Sequence, residues 1–284
     1  MKSKKIIFYA PLLFVAIFIF GHVVPNIIES DDICNVENYV VSGQGRPIVI
    51  FDIDNTLLHP QEIMARVECV IARRDQIMKS GLDMEAAYDK VLPAYFAALQ
   101  KTAVTLVDEK SVDFIKQLQS RGIIIIAMTA RSLEFEESTL RQLDSVGINF
   151  CATAPILKKD LSSEGLNEPI SFKNGIIFAG GTNDKGAVLE RFLQQAELIP
   201  DRGKIILVGE KELAPDKIQI ILIDDKEKNL IDGQRKAIEL GIPFTGIRYS
   251  KLDLEVQRFN ADPAMQAFVL EASNYYDLSE KGKI

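Results

Sequence analysis

The chain has 284 residues, 47% of them hydrophobic, and its 33 basic against 40 acidic residues give a net charge of −7. This length accommodates one buried core together with an inserted subdomain. An acidic chain without a basic tract argues against nucleic acid as its partner. The three cysteines, Cys34, Cys69 and Cys151, have no metal-binding spacing, and we assign them no role.

The first predicted element is an export segment. Three of the first five residues are lysines, and residues 6–20 carry no charge, which is an arrangement typical of signal peptides. The apolar stretch extends to Val24, is long enough to span a bilayer, and is not followed by a small-residue cleavage site. Residues 1–24 are therefore predicted to be either a signal peptide or a retained N-terminal membrane anchor.

Lysines before the apolar stretch place the body of the protein on the far side of the membrane. We therefore expect an exported protein that is periplasmic, secreted or anchored in the inner membrane. In the anchored case, residues 6–24 contact the membrane. Residues 25–46 combine acidic residues with Ser and Gly and are predicted to be a linker.

The core is predicted to begin with a strand at residues 48–51, an apolar run typical of a strand buried on both faces. Asp52, Asp54 and Thr56 follow it. Two like charges at the end of a buried strand are unfavourable unless a cation or phosphate chemistry uses them. The alternative interpretation is a strand end followed by a turn.

An insert delays the first core helix. Apolar residues recur at helical spacing in residues 61–79 and 84–99, and Pro93 predicts a break in the second of these helices. The helix that belongs to the core comes only at residues 109–120. We therefore predict a helical insert of roughly fifty residues after the first strand, at about residues 59–108.

A second buried strand is predicted at residues 123–127, followed by Thr129, a helix at residues 133–146 and a third strand at residues 148–152. A hydroxyl between a strand end and a helix lies where anions bind, although an N-cap is compatible with the same position. Arg131 is interpreted either as a substrate-binding residue or as the partner of a surface ion pair.

The second half of the chain adds a hairpin, a lysine and an acidic pair. Asn174-Gly175 between apolar runs predicts a β-hairpin. Lys185 opens a predicted helix, where the helix dipole disfavours a cation, so an anionic counterpart is expected nearby. A strand at residues 218–223 ends in Asp224-Asp225, and a strand at residues 244–248 and a helical tail follow.

The alternation of buried strands and helices predicts an α/β fold with a mostly parallel sheet. In such sheets ligands bind at the carboxyl ends of the strands. This brings together four carboxylates, one hydroxyl and one ammonium group, from Asp52, Asp54, Asp224, Asp225, Thr129 and Lys185. Carboxylates outnumber the ammonium group, so the site is expected to recruit a divalent cation. Oxygen ligands without His or Cys favour magnesium.

In order and spacing, these residues resemble the motifs of the haloacid dehalogenase (HAD) superfamily of phosphohydrolases. The matches are Asp52, Asp54 and Thr56 for D-x-D-x-T, then Thr129, Lys185, and Asp224-Asp225. The exported context and the hairpin also resemble an uncharacterised exported group of bacterial HAD-like proteins. The resemblance implies a Rossmann-like core in a domain at residues 47–284, in which the helical insert at about residues 59–108 is a small cap.

The resemblance also implies a magnesium-dependent phosphatase mechanism. Asp52 attacks phosphorus to form an aspartyl-phosphate, and Asp54 protonates the leaving oxygen before activating water. Mg²⁺ is held by Asp52, by the backbone carbonyl of Asp54 and by Asp225 or Asp224.

Thr129 and Lys185 are implied to stabilise the phosphoryl oxygens, with a phosphorylated small molecule or a phosphoprotein as substrate. One alternative is a phosphotransferase or mutase on the same fold, which only kinetics distinguishes. The other is a catalytically silent envelope protein that uses the fold for binding, although such a protein has no need of buried like charges.

Overall fold

The computed structural model describes residues 26–42, 45–199, 207–208, 211–212 and 218–261. Its strands are β1 (Asn26–Ser30), β2 (Arg46–Phe51), β3 (Leu58–Pro60), β4 (Val104–Leu106), β5 (Ile124–Thr129), β6 (Ser171–Lys173), β7 (Ile176–Phe178), β8 (Leu207–Val208), β9 (Lys211–Glu212), β10 (Ile218–Asp224) and β11 (Phe244–Tyr249). Its α-helices are α1 (Glu37–Ser42), α2 (Val67–Lys79), α3 (Met84–Lys101), α4 (Ser111–Ser120), α5 (Glu136–Ser145), α6 (Lys185–Gln195), α7 (Glu227–Leu240) and α8 (Asp253–Ala261). Short 3-10 helices lie at Ile33–Val36, Ile63–Ala65 and Leu133–Phe135.

Seven strands form one sheet in the order β1-β11-β10-β2-β5-β7-β6. Neighbouring strands are parallel except β6 and β7, which are antiparallel. Ile48 of β2 lies opposite Ile220 of β10 and Ile124 of β5, so β2 occupies the middle of the sheet. The predicted α/β fold with a mostly parallel sheet is confirmed.

The apolar run of β2 buries both of its faces. Val49 and Phe51 pack into one hydrophobic cluster, and Ile48 and Ile50 pack into the other, as the alternation of side chains along a strand requires. All four side chains are fully buried. Burial of each contributes about 1.5–3 kcal/mol, so the strand that leads to Asp52 is firmly held.

The predicted linker is wrong for residues 26–42. β1 pairs with β11 at one edge of the sheet, and Ile33 and Val36 are buried in the core. An edge strand needs few apolar side chains, and β1 supplies only Ile27 and Ile28, which pack against opposite faces. Its otherwise polar sequence therefore resembles that of a linker.

The insert between β2 and α4 is closed by its own two strands. β3 and β4 pair antiparallel, with His59 opposite Thr105, so the insert leaves and rejoins the core at neighbouring points. Between them lie α2 and α3, which match the helices predicted for this region. They contribute to a separate hydrophobic cluster that includes Met64, Leu99 and Phe135.

The predicted break of the second insert helix is wrong, because α3 continues through Pro93. A proline inside a helix costs about 3 kcal/mol or more. Ala87 and Val91 before the proline and Ala94 and Ala98 after it are all buried. A buried helix face thus extends across the proline, and its packing outweighs the local cost.

The predicted third strand is also wrong, because residues 148–152 form a loop and turn. The place beside β5 is taken by β7. The loop packs tightly against the turn before β7, since a Cβ on Gly175 would lie 2.6 Å from the Phe150 Cβ. The predicted hairpin is confirmed: β6 and β7 pair, and Asn174 and Gly175 have φ of 53° and 79°.

Some predictions fall outside the described residues. These are the signal peptide or anchor at residues 1–24 and the tail beyond residue 261. In the part of the chain that the structure describes, no helix combines the length and the apolar character needed to cross a membrane. Cys34, Cys69 and Cys151 are free thiols.

Candidate active site

The candidate site lies where three parallel strands end. Asp52 directly follows β2, Thr129 is the last residue of β5, and Asp224 is the last residue of β10. Because these strands are parallel neighbours, their carboxyl ends meet at one edge of the sheet. The backbone N–H of Asp52 donates to the Ile223 carbonyl at 2.8 Å, which continues the ladder and fixes Asp52 beside Asp224.

Lys185 joins two of these strand ends. From the first residue of α6, its buried Nζ donates to Asp52 Oδ1 at 2.6 Å, to Asp224 Oδ2 at 2.7 Å and to the Met128 carbonyl at 3.1 Å. Burial alone would lower the pKa of Lys185, but the carboxylates of Asp224 and Asp52 outweigh burial and raise it. The anionic counterpart expected for Lys185 is therefore present.

The side chain of Asp224 is occupied by donors from the protein. Its Oδ1 accepts from the backbone N–H of Lys226 at 2.8 Å and from Asn229 Nδ2 at 3.0 Å. Its Oδ2 accepts from Lys185 Nζ and from the same Asn229 nitrogen at 3.0 Å. Because both oxygens are already bonded, this geometry favours a role for Asp224 in holding Lys185 in place.

Asp225 differs from Asp224 in its hydrogen bonding. Asp52, Asp224 and Asp225 each place a carboxylate oxygen within 4.8 Å of the others. Asp225 Oδ1 is buried and has no hydrogen-bond partner within the described parts of the chain. A buried oxygen of this kind is unfavourable without a donor or a cation, so Asp225 is the better candidate for a metal ligand.

The charges in the acidic cluster are consistent with a cation site. Burial raises the pKa of Asp52 to about 7, with Lys185 opposing the rise and Asp224 adding to it. Burial, together with the neighbouring Asp52, also raises the pKa of Asp225. Three carboxylates face the single buried ammonium of Lys185, and their oxygen atoms are ligands that magnesium prefers. The residues present therefore fit a divalent cation.

Thr56 connects two members of the acidic cluster. Its hydroxyl is fully buried, accepts from the backbone N–H of Asp225 at 3.1 Å and donates to Asp52 Oδ2 at 3.5 Å. The sequence pattern includes Thr56 but assigns it no contact. In the structure it links Asp52, after β2, with Asp225, after β10.

Asp54 is held by Arg131 and is not one of the three carboxylates that form the acidic cluster. Arg131 Nε donates to Asp54 Oδ2 at 2.9 Å, and Nη2 donates to Oδ1 at 2.7 Å, a bidentate pair. The side chains of Arg131 and Asp54 are 3% and 17% exposed, so the predicted ion pair is present but its predicted place on the surface is wrong. Burial would raise the pKa of Asp54, but Arg131 outweighs burial and lowers it.

Thr129 is fully buried beneath the site. Its hydroxyl accepts from the backbone N–H of Arg131 at 3.2 Å, so the loop after β5 folds back over the strand end. A hydroxyl that accepts in this way can still donate its proton to an oxygen of a ligand.

The sequence interpretation gave no role to two polar residues near the acidic cluster. Asn229, in the first turn of α7, donates hydrogen bonds to Asp224. Its position shortly after the end of β10 could have identified it as a site residue from the sequence. Desolvation beside the acidic cluster would by itself lower the pKa of the Lys226 ammonium, but the carboxylates of Asp225 and Asp52 outweigh it and raise the pKa. Its place directly after the acidic pair is its only sequence signal.

The chain matches a family described as "Protein of unknown function (DUF2608)" over residues 29–214 and 211–280. Two curated proteins described as "Putative outer membrane protein", from Chlamydia trachomatis serovar D and Chlamydia muridarum, are 25% and 22% identical over 155 and 177 residues. The aligned segments cover 54% and 62% of this chain but only 56% and 65% of those proteins. The match thus spans less than two thirds of either relative.

Two solved structures of the class C acid phosphatase from Bacillus anthracis, one of them with tungstate bound, were also matched. Each is 14% identical, with 84% of this chain covered in both cases and 83% and 84% of the respective structures. The TM-scores are 0.31 and 0.32. Scores this low do not establish a shared fold.

Proposed function

The chain belongs to the family described as "Protein of unknown function (DUF2608)", and we propose that it is a magnesium-dependent phosphatase of the HAD type that hydrolyses phosphomonoesters. The observation that carries the proposal is the buried Lys185–Asp52 pair beside the Asp225 oxygen that has no hydrogen-bond partner among the described residues. A purely structural role does not explain two carboxyl groups with raised pKa values at a sheet edge where ligands bind.

Asp52 is the proposed nucleophile. One carboxylate oxygen attacks phosphorus, the ester P–O bond breaks, and the leaving oxygen departs with the bonding electrons and takes up a proton. Water then attacks the resulting aspartyl-phosphate, releasing inorganic phosphate and restoring Asp52. The anchored strand β2 and the contacts to Lys185 and Thr56 hold the nucleophile in one orientation.

Asp52, Asp225 and the backbone carbonyl of Asp54 are the proposed ligands of Mg²⁺. The chemistry that a bound Mg²⁺ supplies here is neutralisation of charge between the carboxylates and an incoming phosphate. Asp224 holds the ammonium of Lys185 through the bonds described above. Lys185 and the hydroxyl of Thr129 stabilise the phosphoryl oxygens as negative charge develops on them.

Asp54 is the proposed acid and base. The contact with Arg131 keeps Asp54 charged, which suits removal of a proton from water in the second step. Donation of a proton to the leaving oxygen in the first step requires the protonated form, which becomes more populated as the pH falls. Arg131 thus serves Asp54 directly, and the substrate contact predicted for Arg131 remains a prediction.

We also propose that the protein is exported. The lysine-flanked apolar stretch at residues 6–24 supports this location, as do the descriptions of the two chlamydial relatives as outer membrane proteins. The proposed substrate is a phosphorylated small molecule, with a phosphoprotein as the second class to test.

The test is hydrolysis of p-nitrophenyl phosphate by the purified protein with Mg²⁺, for the parent, Asp52→Asn and the control Asp144→Asn. Asp144 is an exposed aspartate on α5 that belongs to none of the motifs. We expect the parent and Asp144→Asn to be active, and Asp52→Asn to retain less than about 1% of the parental activity. Hydrolysis by Asp52→Asn at the parental rate would reject Asp52 as the nucleophile, and a parent inactive on a panel of phosphomonoesters would reject the function.

A further inference from the structure

Gln142, in the middle of α5, connects the Asp54–Arg131 pair with the insert. Its side chain is 1% exposed. Its Oε1 accepts from Arg131 Nη1 at 2.7 Å, and its Nε2 donates to the carbonyls of Leu99 at 2.9 Å and Thr102 at 3.2 Å. A buried amide with both donor hydrogens and its acceptor engaged has one orientation available to it.

The two carbonyls lie at the end of the last insert helix. Leu99 is in the final turn of α3 and Thr102 is its C-cap residue, so their carbonyls belong to the groups that a helix end leaves without regular partners. A neighbouring side chain, Arg141, donates to the carbonyl of Gln100 at the same helix end. α5 therefore caps the insert helix from outside the insert.

The same amide group limits where Arg131 can lie. Nη1 of Arg131 donates to Gln142 and to Thr139 Oγ1 at 3.0 Å, while Nε and Nη2 donate to Asp54. A displacement of the end of α3 would pull on Gln142, and through it on the guanidinium that fixes both oxygens of Asp54. The chain of contacts is continuous from the insert to the site.

We propose that Gln142 is a positioning residue that makes the orientation of Asp54 depend on the position of the insert. This inference rests on the proposed function, in which Asp54 is the acid and base. In that reaction, when the insert closes on a substrate, Gln142 orients Arg131 and thereby Asp54 for proton transfer. When the insert is displaced, this orientation of Asp54 is lost. The coupling gives the insert an influence on the proton-transfer step in addition to any contact with substrate.

The test compares Gln142→Met with the matched control Thr139→Val. Gln142→Met keeps the length of the side chain and removes its bonds to Arg131 and α3. Thr139→Val removes a contact to the same Arg131 nitrogen without touching the insert. The readouts are kcat on p-nitrophenyl phosphate and on phenyl phosphate, which has the poorer leaving group, and hydrogen exchange of residues 53–58 and 99–104.

For Gln142→Met we expect kcat on phenyl phosphate to fall about 10- to 100-fold, as for a misplaced catalytic group, with a loss below about threefold on p-nitrophenyl phosphate. Hydrogen exchange should become faster in both segments. Thr139→Val should leave exchange at residues 99–104 unchanged. Equal loss on the two substrates, or faster exchange at residues 99–104 alone, would overturn the coupling and leave Gln142 as a helix cap.

Two outcomes separate this inference from the proposed function. A parent that hydrolyses neither of these esters nor any phosphomonoester of the panel defeats the function, and the coupling is then decided by hydrogen exchange alone. If Gln142→Met does not fold, Gln142→Glu is measured in its place. It keeps the acceptor toward Arg131 but loses both donors toward α3, so the same pattern of exchange is expected, and parental exchange in both segments would overturn the coupling.

Discussion

Lys185→Met removes the one cation that lies buried between Asp52 and Asp224 in the described part of the chain. Its ammonium makes two buried ion pairs at 2.6 and 2.7 Å. Taking away one partner of a buried pair costs about 3–5 kcal/mol, because the remaining charge stays buried without compensation. In a domain of this size each kcal/mol corresponds to about 2–4 °C in Tm, so the expected fall is on the order of 10 °C.

The pH dependence of this loss has a definite sign. A carboxyl whose folded-state pKa lies above its unfolded value binds a proton preferentially when folded, so it supports folding at low pH and stops doing so as the pH rises through the folded pKa. The pKa of Asp52 is already raised to about 7 with Lys185 in place, and loss of the ammonium raises it further. The destabilisation should therefore be larger at pH 8 than at pH 5.

The assay is thermal and urea unfolding in chelator at pH 5 and pH 8, for the parent, Lys185→Met and the control Lys158→Met. Lys158 forms an exposed ion pair with Glu197, and its loss should change stability by less than about 1 kcal/mol. Adding Asp52→Asn to Lys185→Met should recover part of the loss. Parental stability of Lys185→Met at pH 8, or an equal loss at both pH values, would refute the charge argument.

Three further predictions concern the metal, the acid and the location. Asp225→Asn should weaken Mg²⁺ binding about tenfold or more, measured by calorimetry, and unchanged affinity in the variant would make Asp224 the ligand to test. The Mg²⁺ affinity of the parent should rise from pH 6 to pH 8, because binding displaces protons from Asp52 and Asp225. Asp54→Asn should slow the hydrolysis of esters with poor leaving groups about 10²–10⁴-fold, and that of esters with good leaving groups less. An equal loss of rate for both kinds of ester would count against Asp54 as the general acid. A C-terminal reporter active only outside the cytosol should be active, whereas a signal confined to the cytosol would contradict export.

The convergence of the site was predictable from the sequence for a geometric reason. In a parallel sheet, every residue that directly follows a buried apolar run lies at the same edge. Asp52, Thr129 and Asp224 each follow such a run, so the sequence pattern was sufficient to predict that these three residues lie close together. Lys185 was identified by a local conflict, a cation at a helix start.

What was missed depends on contacts between distant parts of the chain. Arg131 was interpreted as one partner of a surface ion pair, whereas its actual partner Asp54 lies 77 residues away in the chain. Gln142 gave no signal, since a polar residue within a helix is ordinarily solvent-exposed. β1 was missed because its pairing with β11 joins residues at opposite ends of the described chain.

The direction of the edge strand β1 shows where the N-terminal segment joins the sheet relative to the candidate site. β1 runs parallel to β11, from Asn26 opposite Thr245 to Ser30 opposite Tyr249, so Asn26 lies at the amino-terminal edge of the sheet and Asp52 at the other. A strand of this length spans about 16 Å. In the proposed exported protein, an anchor at residues 6–24 would join the described chain at the sheet edge that carries Asn26. The candidate site lies at the opposite edge of the sheet. Under the proposed function, soluble phosphate esters would therefore reach the site from the side away from the bilayer.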